Sequence, residues 1–426
     1  MTGSLDDDVR LLESAFFMAY PHDVYARMRR EAPVFYSERD GIWAITKYED
    51  VRQISRSPEL FANGYHVYST AASFRGDKDT PHYGEMPADA CARRASFLDP
   101  DGNDSLVFAD GERHAFLRKI ASRAFTPRAV ARLEAEVEQL TAKAFAEIEP
   151  GVEVDFIDAV AAPVPIIMIA RLLGVTDDHV GDFRRWSDAF TELGDEALMS
   201  GGDEELLNQR IAATVEFNEF FTEQLEARRA HPQDDLLTAM VEATWEGRHM
   251  TMSEMLMMTT ILLIAGNETT RGLLSGAGRL LAEHPDQREI LRSDPELVTP
   301  AIEEFLRMVT PVTHMCRTAT DDTEVRGVAI PRGSYLCLLY PAANRDEDIW
   351  ERAGELDVTR KPDPNHVAFG FAEHFCLGAA LARREARIVM TQLLERFSSW
   401  ELVGDTTRAL NHMTPGITRM PVVFSD

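Results

Sequence analysis

One cysteine, Cys376, sits in the string HVAFGFAEHFCLGAALARREAR (366–387), between an aromatic and glycine-rich loop and a run of alanines and arginines. From Leu377 onward, Ala379, Ala382, Ala386, Val389, Leu393 and Phe397 return at helical spacing, which sets the thiol at or just before a helix N-terminus. Free N–H groups and the positive end of the helix dipole stabilise a thiolate there. The alanine stripe lets something flat or bulky approach the backbone. Taken alone, a cysteine in this place also fits a small buried hydrophobe.

Three other groupings could do chemistry. In AGNETT (265–270) the small residues Ala265 and Gly266 stand beside an acid and an alcohol, Glu268 and Thr269. A threonine hydroxyl can bond back to a helix carbonyl, although a polar break in a core helix would read the same way. Glu304 and Arg307, at i and i+3, suit an ion pair. His114 and Arg118, at i and i+4, put two basic groups on one helix face, suited to capturing a carboxylate or to facing solvent.

The elements that must hold these residues are mostly helices, with apolar positions every three or four residues between Pro, Gly and Asp breaks. The longest is expected from about Thr251 to His284: TMSE is a capping box with Thr251 as N-cap and Glu254 at the third position, and Pro285 is the stop. About thirty residues span roughly 45 Å, enough to cross the molecule. A shorter helix is expected in TPAIEEFLRMVTP, with Thr299 as N-cap and Pro300 at its first position. Strands are few, in GIWAIT (41–46) and in EVRGVAIPRGSYLCLLYPAAN (324–344). Residues 62–107, rich in Gly, Pro, Asp and Ser with scattered aromatics, read as a loop and candidate pocket wall. The whole is mainly α with a small β region, one domain over 1–426.

Composition narrows the partners. Of 426 residues, 45% are hydrophobic, ample for a core, and 27% are charged. Lys plus Arg number 44 against 71 Asp plus Glu, a net charge of −27 that repels phosphate backbones and anionic surfaces, so neither nucleic acid nor membrane is expected. The N-terminus lacks a signal-peptide pattern, and the apolar run near MLMMTTILLIAG falls short of the roughly 20 residues a membrane helix needs. A cytoplasmic protein is expected. The four cysteines, Cys91, Cys316, Cys337 and Cys376, are widely spaced, without a zinc-ribbon or disulfide pattern.

FGFAEHFCLG resembles the haem-binding loop of the cytochrome P-450 family, matching it at Phe369, Gly370, His374, Cys376 and Gly378. One position departs: Ala372 stands where the family commonly has glycine, so a turn needing φ > 0 would be strained there. AGNETT resembles the family's central-helix oxygen motif, which places Ala265 and Gly266 over the haem and makes Glu268 and Thr269 the acid and alcohol pair. Glu304 and Arg307 match its ExxR signature, and Arg360 in LDVTRKP completes the buried triad that supports the haem loop. The family uses residues at His114, Arg118, Arg317 and His374 to bind the haem propionates.

The resemblance implies the P-450 fold with the long central helix over haem b, Cys376 thiolate as its proximal ligand, and O2 activation for hydroxylation of an apolar small molecule. Thr269 is the expected proton donor or water-positioning group and Glu268 its supply. Without a flavin or iron–sulfur pattern in the chain, its electrons are expected from a separate ferredoxin and ferredoxin reductase. Basic residues Arg113, Arg118, Lys119, Arg123, Arg128 and Arg132, with Arg383, Arg384 and Arg387, form an island in an acidic chain where such a partner would dock. A haem-thiolate sensor without turnover and a peroxide-driven variant are the alternatives. Substrate walls are expected in the 62–107 loop (Tyr65, Tyr68, Phe74, Phe97), around Trp186 to Met199, at Leu262 and Leu263, and from Val312 to Met315. Their character suits a steroid, terpenoid, fatty acyl or aromatic compound.

Overall fold

The capping box at the head of the long helix forms as expected. In the computed structural model, which describes residues 4–63, 105–175, 177–191 and 204–426, the Thr251 hydroxyl accepts from the Glu254 N–H at 3.2 Å and the Glu254 carboxylate accepts from the Thr251 N–H at 2.6 Å. The helix then runs unbroken from Met252 to Glu283, and Pro285 opens the next one. Tyr65, Tyr68, Phe74, Phe97, Cys91 and Met199 lie outside the described residues.

Counting helices of seven residues or more among the described residues, the order is α1 (His22–Glu31), α2 (Tyr48–Ser55), α3 (Gly111–Ala121), α4 (Pro127–Ala146), α5 (Pro163–Leu172), α6 (Val180–Thr191), α7 (Glu204–Ala230), α8 (Leu236–Glu242), α9 (Met252–Glu283), α10 (Pro285–Ser293), α11 (Val298–Val309) and α12 (Ala379–Arg396). A helix apolar around most of its circumference needs cover on several sides. Accordingly α9 packs against α5, α6, α11 and α12. Its first half sends Met255, Met258, Leu262 and Leu263 into a cluster with α3 and α5 to α8. Its second half sends Leu273, Leu274, Ala277 and Leu281 into another with α4, α5, α11 and α12. Each of these leucine and methionine side chains stabilises by about 1.5–3 kcal/mol when fully buried. Between the two clusters, from Ala265 to Thr270, the small and polar residues cannot close a core, and a cavity remains.

The main sheet has β1 (Val34–Ser37), β2 (Ile42–Ile45), β3 (Phe61–Ala62), β4 (His314–Ala319) and β5 (Tyr335–Leu339) in the order β1-β2-β5-β4-β3. β5 pairs parallel with β2 and antiparallel with β4. Alternate residues of β5 serve opposite clusters: Leu336 and Leu338 on one face, Tyr335, Cys337 and Leu339 on the other. Covered on both sides, this strand reads as a continuous apolar run. Its position fixes β4, which carries Arg317.

One expected boundary is corrected. Thr299 does not cap α11: Asp294 accepts from the Glu296 N–H at 3.2 Å to cap a 3-10 turn at Pro295–Leu297, which runs straight into α11 and leaves Thr299 inside the first turn. Among the described residues no helix is long and apolar enough to cross a membrane.

Candidate active site

The loop before α12 is built to present its cysteine. Gly370 takes φ +68°, turning the chain so that the Phe369 carbonyl accepts from the Cys376 N–H at 2.8 Å. Gly378 then serves as the N-cap of α12. Ala372, at φ +59°, opens a 3-10 turn that ends at His374. The strain anticipated at this alanine is therefore present, because a left-handed backbone presses Cβ against the following carbonyl. The turn is held from outside by Arg52 and Arg56, whose guanidinium groups lie 4.7 and 4.6 Å from the Phe371 ring centroid.

Cys376 opens into the cavity between this loop and α9. The cavity has about 1450 Å³ of space not filled by protein atoms, part of it open to solvent, and its lining is mostly apolar. Burial pushes the Cys376 thiol above its ordinary range; the Gly378 and Ala379 N–H groups, Arg118 and Arg383 act in the opposite direction. A metal cation bound to the sulfur would displace that proton outright.

All four basic residues expected to bind propionates line the same cavity: His114, Arg118, Arg317 and His374. The His114 and His374 rings lie 4.1 Å apart. Burial, then His374 and Arg118, lowers His114 to about 4, so it is neutral at pH 7 and retains one N–H to donate. His374 Nε2 is buried without a hydrogen-bond partner, 3.5 Å from Asp110 Oδ1 and 3.5 Å from Glu373 Oε1. Arg118 donates to the Phe375 carbonyl at 2.7 Å, and Arg317 to the Cys316 carbonyl at 2.7 Å. An orphaned ring nitrogen and two guanidinium groups in a mostly apolar cavity that ends at a thiol fit a porphyrin with two carboxylate arms.

On the α9 side, Ala265, Gly266, Thr269 and Thr270 line the cavity. The Thr269 hydroxyl donates to the Ala265 carbonyl at 2.7 Å. Gly266 owes its size to protein packing: a Cβ there would meet Ile169 Cδ1 at 2.2 Å. Glu268 is not part of the lining. It is buried and ion-paired with Arg271, while the Asn267 amide donates to Ser187 Oγ at 2.7 Å and lies 3.4 Å from Glu268 Oε1. The acid and the alcohol are thus neighbours in sequence on different faces of α9.

The triad assembles away from the cavity. Arg307 grips Glu304 with two bonds of 2.8 Å and donates to the carbonyls of Asn344 and Ala353 at 2.9 and 2.6 Å. Arg360 reaches Glu304 at 3.2 Å. The triad ties α11 to the 340–360 stretch.

Sequence reasoning missed several cavity residues, among them Phe125, Ile169, Leu306, Tyr340 and Glu385. They come from elements whose distance to the site is not encoded locally. Of the expected substrate walls, Leu262, Val312 and Met315 line the cavity, but Leu263 and Trp186 turn into the core. The basic island is also less free than its sequence suggests: Arg383 is bidentate to Glu303 at 2.7 and 2.8 Å, Arg384 and Arg387 share Glu134, and Arg113 is paired with Glu254. Lys119 and Arg123 remain exposed.

Fold and cavity together define a helical protein with a mostly apolar cavity that has a thiol at one face and basic residues along its wall. Comparison with known proteins agrees. A family profile described as Cytochrome P450 matches residues 204–424. The chain is 34% identical over 423 residues to the steroid C26-monooxygenase of Mycobacterium tuberculosis (strain H37Rv), covering 98% of this chain and 97% of that one. It is 32% identical to the linalool 8-monooxygenase of Pseudomonas putida, covering 95% of each. The crystal structure of a Bacillus megaterium P450 in complex with testosterone superposes with a TM-score of 0.77 at 27% identity, over 95% of this chain and 99% of that one. The chain belongs to the cytochrome P450 family: it is a haem b monooxygenase, an oxidoreductase.

Proposed function

We propose that this monooxygenase, a single cytoplasmic domain over 1–426, hydroxylates an apolar small molecule of the steroid, terpenoid, fatty acyl or aromatic kind, using O2 and two electrons from a separate ferredoxin and ferredoxin reductase. The observation that carries the reading is the convergence on one largely apolar cavity of Cys376, the Ala265–Thr269 face of α9, and the four basic residues His114, Arg118, Arg317 and His374. The relatives that act on a steroid and on linalool support an apolar, terpenoid-derived substrate.

Bound haem supplies the activation of O2. Cys376 would give up its proton to hold the iron, while Arg118, Arg317, His114 and His374 would hold the propionates and orient the ring. Phe369 and Gly378 shape the loop around the sulfur. Leu262, Val312 and Met315 exclude water and seat the substrate. The Thr269 proton rests on the Ala265 carbonyl and turns toward the cavity when a better acceptor arrives there. Glu268, ion-paired with Arg271 on the buried face of α9, would leave that partner, take up a proton from solvent and pass it on to re-supply Thr269. A ferredoxin, itself acidic, would dock over Lys119 and Arg123, since the arginines of α12 are already matched to Glu303 and Glu134.

The first experiment is the absorbance spectrum of the dithionite-reduced protein with CO. A strongly red-shifted Soret band that is lost in Cys376→Ser is expected; a band in the ordinary imidazole-ligated position, or no haem, overturns the assignment of Cys376. Reversing Lys119 and Arg123 to Glu should slow reduction by ferredoxin at low salt, and an unchanged rate would rule out that docking face.

A further inference from the structure

One buried titratable group of the cavity has no part in the chemistry above. Gly378, Ala382 and Glu385, at i, i+4 and i+7 of one face, all line the cavity on the side of Cys376. Glu385 is 2% exposed, and its Oε2 has no hydrogen-bond partner. The charged groups on the elements around it are committed elsewhere: Arg383 to Glu303 of α11, Arg384 and Arg387 to Glu134 of α4, Arg307 to Glu304, Arg271 to Glu268 of α9, and Arg118 to the Phe375 carbonyl. His114, His374, Tyr340 and Arg317 complete the titratable and charged wall of the cavity, and Glu373 stands beside His374 on the loop. None of these groups acts on Glu385. Burial alone pushes its carboxyl up to about 8. An unpaired carboxylate at such a depth is costly, so at pH 7 the side chain is a neutral acid with a proton to give or keep.

We propose that Glu385 is a positioning residue for electron uptake: its neutral carboxyl keeps the Cys376 side of the cavity free of a second negative charge, so that reduction of the bound haem is coupled to protonation of Glu385. The proposal rests on the haem reading above. An electron delivered to the haem adds one negative charge to a low-dielectric space. If Glu385 is already protonated, no further proton is needed; if it is ionised, the electron from the reductant and a proton from solvent arrive together, the proton bonding to the carboxylate oxygen. A permanently charged group there would make the electron harder to add, and a permanently neutral one would uncouple reduction from pH.

The test is a spectroelectrochemical titration of the haem-loaded protein at pH 6, 7, 8 and 9. In the wild type the midpoint potential should shift downward as pH rises from 7 to 9. In Glu385→Gln, a neutral group of the same shape, it should stay at the wild-type pH 6 value throughout. A Glu385→Gln protein that keeps the full wild-type pH dependence overturns the proposal. Infrared spectra of the folded chain give a readout that does not need the loaded enzyme: a protonated-carboxyl C=O band at pH 7, absent from Glu385→Gln, is expected, and its absence from the wild type would overturn the neutral acid. Failure of the haem reading itself would show separately, as a wild-type CO spectrum without the thiolate signature.

Discussion

Ala372 carries a left-handed backbone in the middle of the loop that presents Cys376. A β-carbon in that conformation costs about 1 kcal/mol, which glycine would not incur. Ala372→Gly should therefore raise the unfolding free energy by up to about 1 kcal/mol, the gain being reduced by the greater freedom of glycine in the unfolded chain. Urea melts of the two proteins decide it: a variant no more stable than its parent would mean that the turn is relaxed as it stands. The position was legible in the sequence because the loop's pattern demands a turn residue there and the chain supplies an alanine. Glu385 was not legible. In sequence it is one acid in a charged helix, and only the packing of α4, α9 and α11 around α12 strips it of water and counter-charge.

Among the elements, α9 and α11 set the site. The expected N-cap of α9 is observed, and Glu254 does more than cap: its carboxylate also receives Arg248 at 2.8 Å and Arg113, which holds it down to about 2 against the effect of burial. The pair in α11 is buried on both sides, with Glu304 3% and Arg307 2% exposed. Removing one partner leaves the other charged and unmatched, so Glu304→Ala should destabilise by about 3–5 kcal/mol and lower the yield of haem-loaded protein. Replacing Arg307 and Glu304 together by apolar residues of similar volume should cost less than either single change; if the double variant costs the sum of both, the pair is not acting as a unit. The i, i+3 spacing revealed the pair, but its burial came from the 340–360 stretch folding over it, which no local pattern encodes.

For the molecule as a whole, the buried histidines set the acid limb of stability. Burial lowers His22 to about 3 and His114 and His412 to about 4, and lowers His314 and His366 as well. Between those values and the ordinary value near 6.5, the unfolded chain binds more protons than the folded one, so stability falls as pH drops below about 6.5. Glu254 and Glu303, both held to about 2, add a loss as pH falls below the ordinary carboxylate value near 4.5. Glu385 works the other way: with a folded value of about 8, the folded chain keeps a proton that the unfolded chain releases, and stability falls as pH rises from 4.5 to 8. Stability should therefore climb from pH 4 to about 6.5 and decline toward pH 8. Urea midpoints across that range test this, and Glu385→Gln should remove the decline while leaving the acid limb. A decline unchanged in Glu385→Gln would assign it to another group.

The sequence by itself determined the chemistry-bearing residues and the elements they ride on: a thiol before a helix, an alcohol in the middle of a buried helix, and basic pairs at helical spacing. These are local facts, set by periodicity, caps and turn residues. Tertiary structure alone decided which of them share a cavity. It brought Thr269 to the cavity and turned Glu268 away onto Arg271, matched the arginines of α12 to Glu303 and Glu134, and isolated Glu385. The reason is physical: desolvation and ion pairing depend on what lies across the fold, often more than a hundred residues away, as Glu134 does from Arg384.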